Sequence, residues 1–269
     1  MFNLPPRPRT PPGPRPTANV APPSTHNYAT VCSSNINRSM ESHLHLSTLH
    51  LPVTSYGTGS QVRLPGKSAY EPKVFKFGTP YSKMYESLMS EDMSFFSANG
   101  IIPLCLRATS IKEAPERWQD APDEQVRGHD VVVCFEERIF DACVEDLQSR
   151  QVGEEVRPFP PPSMEERSFL SHVVMSHNSA VKFNTSPVLP LVFDSYLPRV
   201  QLKPVFVVCL DTKDNPTESA KMGRRCARLC WEMEKVKDLE AGFGDLVEAF
   251  GREMEGVTDI KVLFQVIYL

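Results

Sequence analysis

Cys32 and Arg38 stand six positions apart, and Ser39 follows at once, in the stretch "YATVCSSNINRSMESH". The stretch opens as a short β-branched run and then becomes small and polar. A strand ending at Cys32 and a helix opening at Arg38 leave Ser33, Ser34, Asn35, Ile36 and Asn37 as a loop. The backbone N–H groups of such a loop can converge on one point, and the helix N-terminus adds its positive field. Arg38 supplies a planar fork for two phosphate oxygens. The same field favours a thiolate at Cys32, and Ser39 is placed to hydrogen-bond that sulfur and ease its departure. A thiolate inside a phosphate cradle is suited to attack on phosphorus, a cysteinyl-phosphate intermediate and hydrolysis. None of the other six cysteines has an arginine six positions on. The competing reading of the local pattern is a buried structural cysteine.

Such a reaction needs a general acid for the leaving oxygen. "VVCLDTKDNPTESA" ends a later apolar run and offers Asp211 and Asp214, one as support and one as proton donor. Helix capping competes for the same residues, because "DNPTESA" has the composition of a helix start.

The elements that would hold these groups alternate along the chain. "NYATVCSS", "VTSYGTG", "HDVVVCFEE", "PVFVVCLD" and "DIKVLFQVIYL" read as strands. Between them "RSMESHLHLSTLH", residues 80–98, "RIFDACVEDLQSR", "TESAKMGRRCARLCWEMEKV" and "FGDLVEAFGREM" read as helices. Strands apolar on both faces that alternate with helices give an α/β fold with a doubly wound, mainly parallel five-stranded sheet in a three-layer, Rossmann-like arrangement. In such sheets ligands bind at the carboxyl ends of strands, where Cys32 and Asp214 fall. Residues 1–26 hold nine prolines and read as a disordered Pro-rich tail. Residues 27–269 read as a single domain, interrupted at about 151–204 by a segment without a firm period, taken as an insertion before the fourth strand.

Composition narrows the function classes. The chain has 269 residues, a net charge of -4 and 41% hydrophobic residues, enough for a large core. The mild acidity gives no case for direct nucleic-acid binding, and no apolar run is long enough for a membrane span. Seven irregularly spaced cysteines without an export signal suggest free thiols in a reducing compartment. No Cys or His spacing matches a zinc site, so no metal and no cofactor is expected. His43, His45 and His50 read as solvated helix histidines. Glu136 and Glu137 read as favourable charge at a helix start, with an ion pair to Arg138 or a neighbour as the next reading. Trp231 reads as core, and "GRRCAR" as a solvated or partner-facing basic patch.

The stretches "VCSSNINRSMESH", "YGTGSQVRLPG", "NGIIPLCLR", "PERWQD", "CFEERIFDACVEDLQSR" and "VVCLDTKDN" occur in one order along the chain. In that order the chain resembles the RNA polymerase II carboxy-terminal-domain phosphatases of the pre-mRNA cleavage and polyadenylation machinery. Their fold is similar to that of low-molecular-weight protein tyrosine phosphatases. The resemblance implies a nuclear enzyme of transcription and mRNA 3′-end processing that removes phosphate from serine in the heptad repeats of the polymerase tail. The favoured serine would precede the second proline, with that bond in cis. It implies Cys32 as nucleophile, Arg38 as phosphate-binding arginine, Ser39 as its helper, Asp214 as general acid and Asp211 as supporting carboxylate. It also implies that Arg63, Leu64 and Pro65, with Ile102 and Leu104, wall the substrate groove, and that the partner is a scaffold subunit of the cleavage factor. Two features depart from the pattern: the long segment at 148–204, and the polar Asn27 and Thr30 in the first strand. The alternatives are a low-molecular-weight phosphotyrosine phosphatase and an inactive scaffold subunit.

Overall fold

A computed structural model describes residues 24–68, 70–152, 202–255 and 261–269. Of the expected tail only its last three residues, 24–26, fall within this set, and most of the segment expected as an insertion lies outside it. The ends of that segment are nonetheless trimmed: a helix runs through Val152 and a strand begins at Pro204.

The described residues form seven strands: β1 (Tyr28–Cys32), β2 (Val53–Gly57), β3 (Val62–Leu64), β4 (Lys73–Phe75), β5 (Val131–Cys134), β6 (Pro204–Leu210) and β7 (Val262–Tyr268). The α-helices among them are α1 (Arg38–Thr48), α2 (Tyr81–Ala98), α3 (Ile101–Thr109), α4 (Asp123–Arg127), α5 (Glu137–Val152), α6 (Pro216–Met233) and α7 (Leu239–Glu255). Five strands form one sheet in the order β2-β1-β5-β6-β7. The first four run parallel and β7 closes the edge antiparallel to β6. β1, β5 and β6 are buried on both faces, as the unbroken apolar runs of β5 and β6 require. One face packs on α6 and α7 through Phe206, Val208, Met222, Leu229 and Phe243. The other packs on α5 through Val132, Val207, Ile139 and Leu147.

The strand and helix order matches the expectation from periodicity. Three elements escape that expectation: α3, read only as part of "NGIIPLCLR", and α4 and the two-stranded hairpin β3–β4, both too short to show a period. With α2, the hairpin and α3 build a third apolar cluster around Met40, Tyr81, Met84, Leu88 and Phe96. The polar Thr30 of β1 has a structural reason. Its buried Oγ1 donates to the Ser39 carbonyl at 2.9 Å and so ties the strand to the helix that follows. Asn27 lies just before β1, where its backbone N–H donates to Asp130 Oδ2 at 2.8 Å.

Two histidines are withdrawn from water, one partly and one almost wholly. His43, expected on the solvated face of α1, is half-buried and shares a hydrogen bond of 3.0 Å with Ser55 Oγ. Burial, then the charge of Lys112, lowers its pKa to about 4. His129 is 4% exposed beside Tyr56 and Trp118 and shares a 2.7 Å bond with Thr54 Oγ1. Burial lowers its pKa to about 4 as well. The unfolded chain, with histidines near the ordinary 6.5, therefore binds more protons than the folded chain between about pH 6.5 and 4. Stability present above that window is lost as pH falls through it, by on the order of 3 kcal/mol for His129 alone. Urea denaturation across this range is expected to show a falling midpoint, and His129→Gln to flatten part of the fall. The same slope in wild type and variant would refute this account.

Candidate active site

The loop between β1 and α1 is shaped by what its carbonyls are bonded to. The Cys32 and Ser33 carbonyls accept the N–H groups of Thr58 and Gly59 at 3.0 and 2.9 Å. The Asn35 carbonyl accepts the Tyr81 hydroxyl at 2.5 Å. The Ile36 and Asn37 carbonyls both accept Nη2 of Arg107, at 2.8 and 3.1 Å. With these carbonyls held by surrounding elements, no backbone N–H from Ser33 to Asn37 donates to another protein group among the described residues. That is the donor set an anion needs.

Asn35 makes the turn. Its φ of 52° is in the left-handed region, which asparagine tolerates better than most residues. Its buried side chain is used at both ends: Oδ1 accepts the Glu116 N–H at 3.1 Å and Nδ2 donates to Ser39 Oγ at 3.1 Å. Gly57, at the end of β2, is required by close approach. A Cβ there would stand 2.7 Å from the Ser33 carbonyl oxygen and 2.8 Å from the Phe77 ring.

Cys32 Sγ lies 3.0 Å from Ser39 Oγ. Because that hydroxyl oxygen already accepts a bond from Asn35, its own proton is free to point at the sulfur. Arg38 is 4% exposed. Its Nη1 donates to the carbonyls of Phe135 and Thr212, just past the ends of β5 and β6, at 3.2 and 3.1 Å. Both terminal nitrogens reach Glu136 Oε2 at 3.1 Å, and Nη2 reaches Asp214 Oδ2 at 3.2 Å. Nε is buried without a partner. Burial disfavours the arginine charge, but Cys32, Asp214 and Glu136 outweigh it and the pKa rises.

Asp214 also accepts from Asn37 Nδ2, at 2.9 Å through Oδ1. It does not cap α6: the Asn215 side chain does so, accepting the Glu218 N–H at 2.9 Å. Capping and site duties are thus divided between neighbours. Asp211 stands apart from this cluster. It is exposed, its N–H donates to the Lys261 carbonyl at 3.1 Å, and no hydrogen bond joins it to Asp214 or Arg38. The buried Thr212 separates the two aspartates.

The expected groove residues divide likewise. Arg63 and Pro65 are exposed and Leu104 is half-buried, so these three offer surface. Leu64 and Ile102, 2% and 6% exposed, are instead packed in the apolar cluster around Met40. β3 is pinned to the loop, since Ser34 Oγ accepts the Arg63 N–H at 3.1 Å.

Two site residues are not legible as such in the sequence. Glu136, read as helix-start charge or a partner of Arg138, does pair with Arg138, and it also clamps Arg38. Its partner is 98 positions away, so no local pattern marks it. Arg107, which braces the loop, also pairs with Glu41 of α1. The available signal is a lone cation after the apolar run "IIPLCL" of α3.

A family model described as "Ssu72-like protein" matches residues 26–269. A zebrafish (Danio rerio) protein named as the RNA polymerase II C-terminal domain phosphatase SSU72 is 31% identical over 229 residues, 85% of this chain and 92% of that protein. The Candida glabrata protein of the same name is 48% identical over 123 residues, 46% of this chain. There the chain spans 58% of the relative's length. A crystal structure of Drosophila melanogaster Ssu72 with Symplekin, bound to a cis peptidomimetic phosphoserine peptide of the polymerase C-terminal domain, is 27% identical, with a TM-score of 0.67. The match covers 92% of this chain and 100% of the fly chain.

Arg107 holds the loop through the Ile36 and Asn37 carbonyls. Arg107→Met is expected to weaken binding of orthovanadate, a phosphate mimic, on the order of tenfold through two lost charge-assisted bonds. Arg107→Lys should recover part, since an ammonium does not reproduce the fork. A fall in melting temperature with unchanged vanadate affinity would show that Arg107 only packs.

Proposed function

Since the chain belongs to the Ssu72-like family, we propose that it is a cysteine-dependent protein phosphatase acting on phosphoserine in the C-terminal repeats of RNA polymerase II. The observation that carries the reading is the convergence of Cys32, Ser39, Arg38 and Asp214 on a loop whose N–H groups are uncommitted. The fly relative's phosphoserine peptide and Symplekin supply the substrate class and the kind of scaffold partner for this chain. A nuclear location, in transcription and mRNA 3′-end processing, follows from that substrate.

In this mechanism the phosphate enters the loop, takes the free N–H groups of residues 33–37 and competes with Glu136 and Asp214 for the Arg38 guanidinium. Arg38 Nε, buried without a partner, is a donor available to it. The Cys32 thiolate attacks phosphorus and the P–O bond to serine breaks. Asp214, in its protonated form, gives its proton to the departing serine oxygen. The product pair is a cysteinyl phosphate and a free serine hydroxyl. Asp214, now a carboxylate, takes a proton from a water that attacks the same phosphorus. The thiolate leaves, assisted by the Ser39 hydroxyl, and inorganic phosphate departs. Arg63, Pro65 and Leu104 flank the path of the peptide. Asp211, set apart from the cluster, acts at most through the fold of the Asp214 loop. Residues 27–269 form one phosphatase domain in this reading, with about 151–204 as an insertion in the crossover leading to Asp214.

A phosphotyrosine phosphatase needs aromatic walls around a deep pocket. Here Tyr81 is fully buried and its hydroxyl is committed to the Asn35 carbonyl, which disfavours that alternative.

Phosphate release from a heptad-repeat peptide phosphorylated on the serine before the second proline tests the proposal. Cys32→Ser should abolish turnover. Asp214→Asn should reduce kcat by roughly 10²–10⁴-fold, the range of general acid catalysis. Turnover confined to phosphotyrosine peptides, or serine turnover that survives Cys32→Ser, would overturn it.

A further inference from the structure

Four cations of α6, Lys221, Arg224, Arg225 and Arg228, stand at i, i+3, i+4 and i+7 and so share one helix face. Together they line a shallow depression of about 310 Å³ that no other described residue lines. Two of them are engaged. Lys221 Nζ is 2.8 Å from Glu218 Oε1, and Arg228 pairs with Glu253 while lying 5.9 Å from the centre of the Phe250 ring. Neither Arg224 nor Arg225 makes an ion pair within 4.0 Å among the described residues, although Lys221, joined by Arg225, lowers the Glu218 pKa. Arg225 Nη1 is moreover buried without an acceptor. Arg224 is exposed and Arg225 half-buried, and two neighbouring guanidinium forks suit the oxygens of a phosphate. On a chain of net charge -4 the patch is local and does not reflect a generally basic surface.

We propose that this face of α6 is a second phosphate-binding site, occupied by another phosphoserine of the polypeptide whose first phosphoserine lies in the Cys32 loop. The inference rests on the substrate reading above and extends it. Its geometry is set by α6. The helix starts at Pro216, two residues after Asp214, so Arg224 and Arg225 lie roughly 12–14 Å along it at 1.5 Å per residue. Equivalent serines in a heptad-repeat chain are seven residues apart, at most roughly 23–25 Å when extended. The span of one heptad exceeds that rise along the helix, so serines one repeat apart set the spacing that the test below uses. The second site acts on binding and leaves the chemical step alone, so its signature is in KM and not in kcat. It favours repeats that carry more than one phosphate.

The test uses the full-length protein and two-repeat peptides bearing the cleavable phosphoserine alone or with a second phosphoserine one repeat along. In the wild type the second phosphate is expected to lower KM about fivefold at unchanged kcat, the size of a partly exposed charge-assisted contact. R224A/R225A should lose that advantage while hydrolysing para-nitrophenyl phosphate as the wild type does. R224K/R225K, which keeps the charge, should retain part of it. Equal KM for the two peptides in the wild type, or an advantage that survives R224A/R225A, overturns the proposal. Fluorescence anisotropy of the same peptides on Cys32→Ser protein separates this from failure of the parent reading. A preference for the doubly phosphorylated peptide that depends on Arg224 and Arg225 supports the site even if neither peptide is turned over. Binding of polyuridine RNA that needs these arginines, with no peptide preference, overturns it.

Discussion

The buried guanidinium of Arg38 is the constraint on which the site depends. A charge that is 4% exposed is tolerable only if it is paired and hydrogen-bonded. The fold meets that demand from two distant places in the chain. One supplies the Phe135 carbonyl and the Glu136 carboxylate, the other the Thr212 carbonyl and the Asp214 carboxylate. These partners lie just past β5 and β6, which follow β1 in the sheet order. One side chain thus gathers the carboxyl ends of three parallel strands. The site arises there because the sheet delivers its loops to one edge.

Around that charge the structure separates holding from reacting. The loop carbonyls are held by Tyr81, Arg107 and the N–H groups after β2, while the loop N–H groups are left without protein acceptors among the described residues. Asn35 does the work of a glycine in conformation and of a brace in hydrogen bonding, which a glycine could not do. Ser39 links Cys32 to Asn35, and its carbonyl holds Thr30 of the strand beneath. Asn215 caps α6, which leaves Asp214 free to face Arg38. Small polar residues carry this network because they reach neighbouring backbone without filling the space an anion needs.

The braces also connect the site to surfaces away from it. Arg107 joins α3, which carries Leu104, to the loop and to Glu41 of α1. α1 in turn packs closely on α6, where a Cβ at Gly223 would stand 2.7 Å from the His45 ring. The face of α6 turned away from that contact carries the basic stripe. The β1–α1 loop, α3 and the basic face of α6 are therefore linked through one neighbourhood of packed helices.

The sequence by itself determined the alternation of strands and helices, the burial of β1, β5 and β6, the positions of Cys32 and Asp214 after strands, and those of Arg38 and Ser39 at a helix start. These are properties of local periodicity and of spacing within a few residues, which a chain displays without folding. Only the tertiary structure decided which carboxylates reach Arg38. Asp211 and Asp214 both lie past the fourth parallel strand and both are exposed, yet only Asp214 reaches the arginine, while the Asp211 backbone turns to the Lys261 carbonyl. Glu136 and Arg107 have their partners 98 and 71 positions away, contacts that no local pattern encodes. His43 reads as solvated because a helix pattern fixes which residues share a face, but not which neighbour covers it. Leu64 and Ile102, expected on the surface, are buried in the apolar cluster around Met40 for the same reason. Register and packing between distant elements settle such questions, and they exist only once the chain has folded.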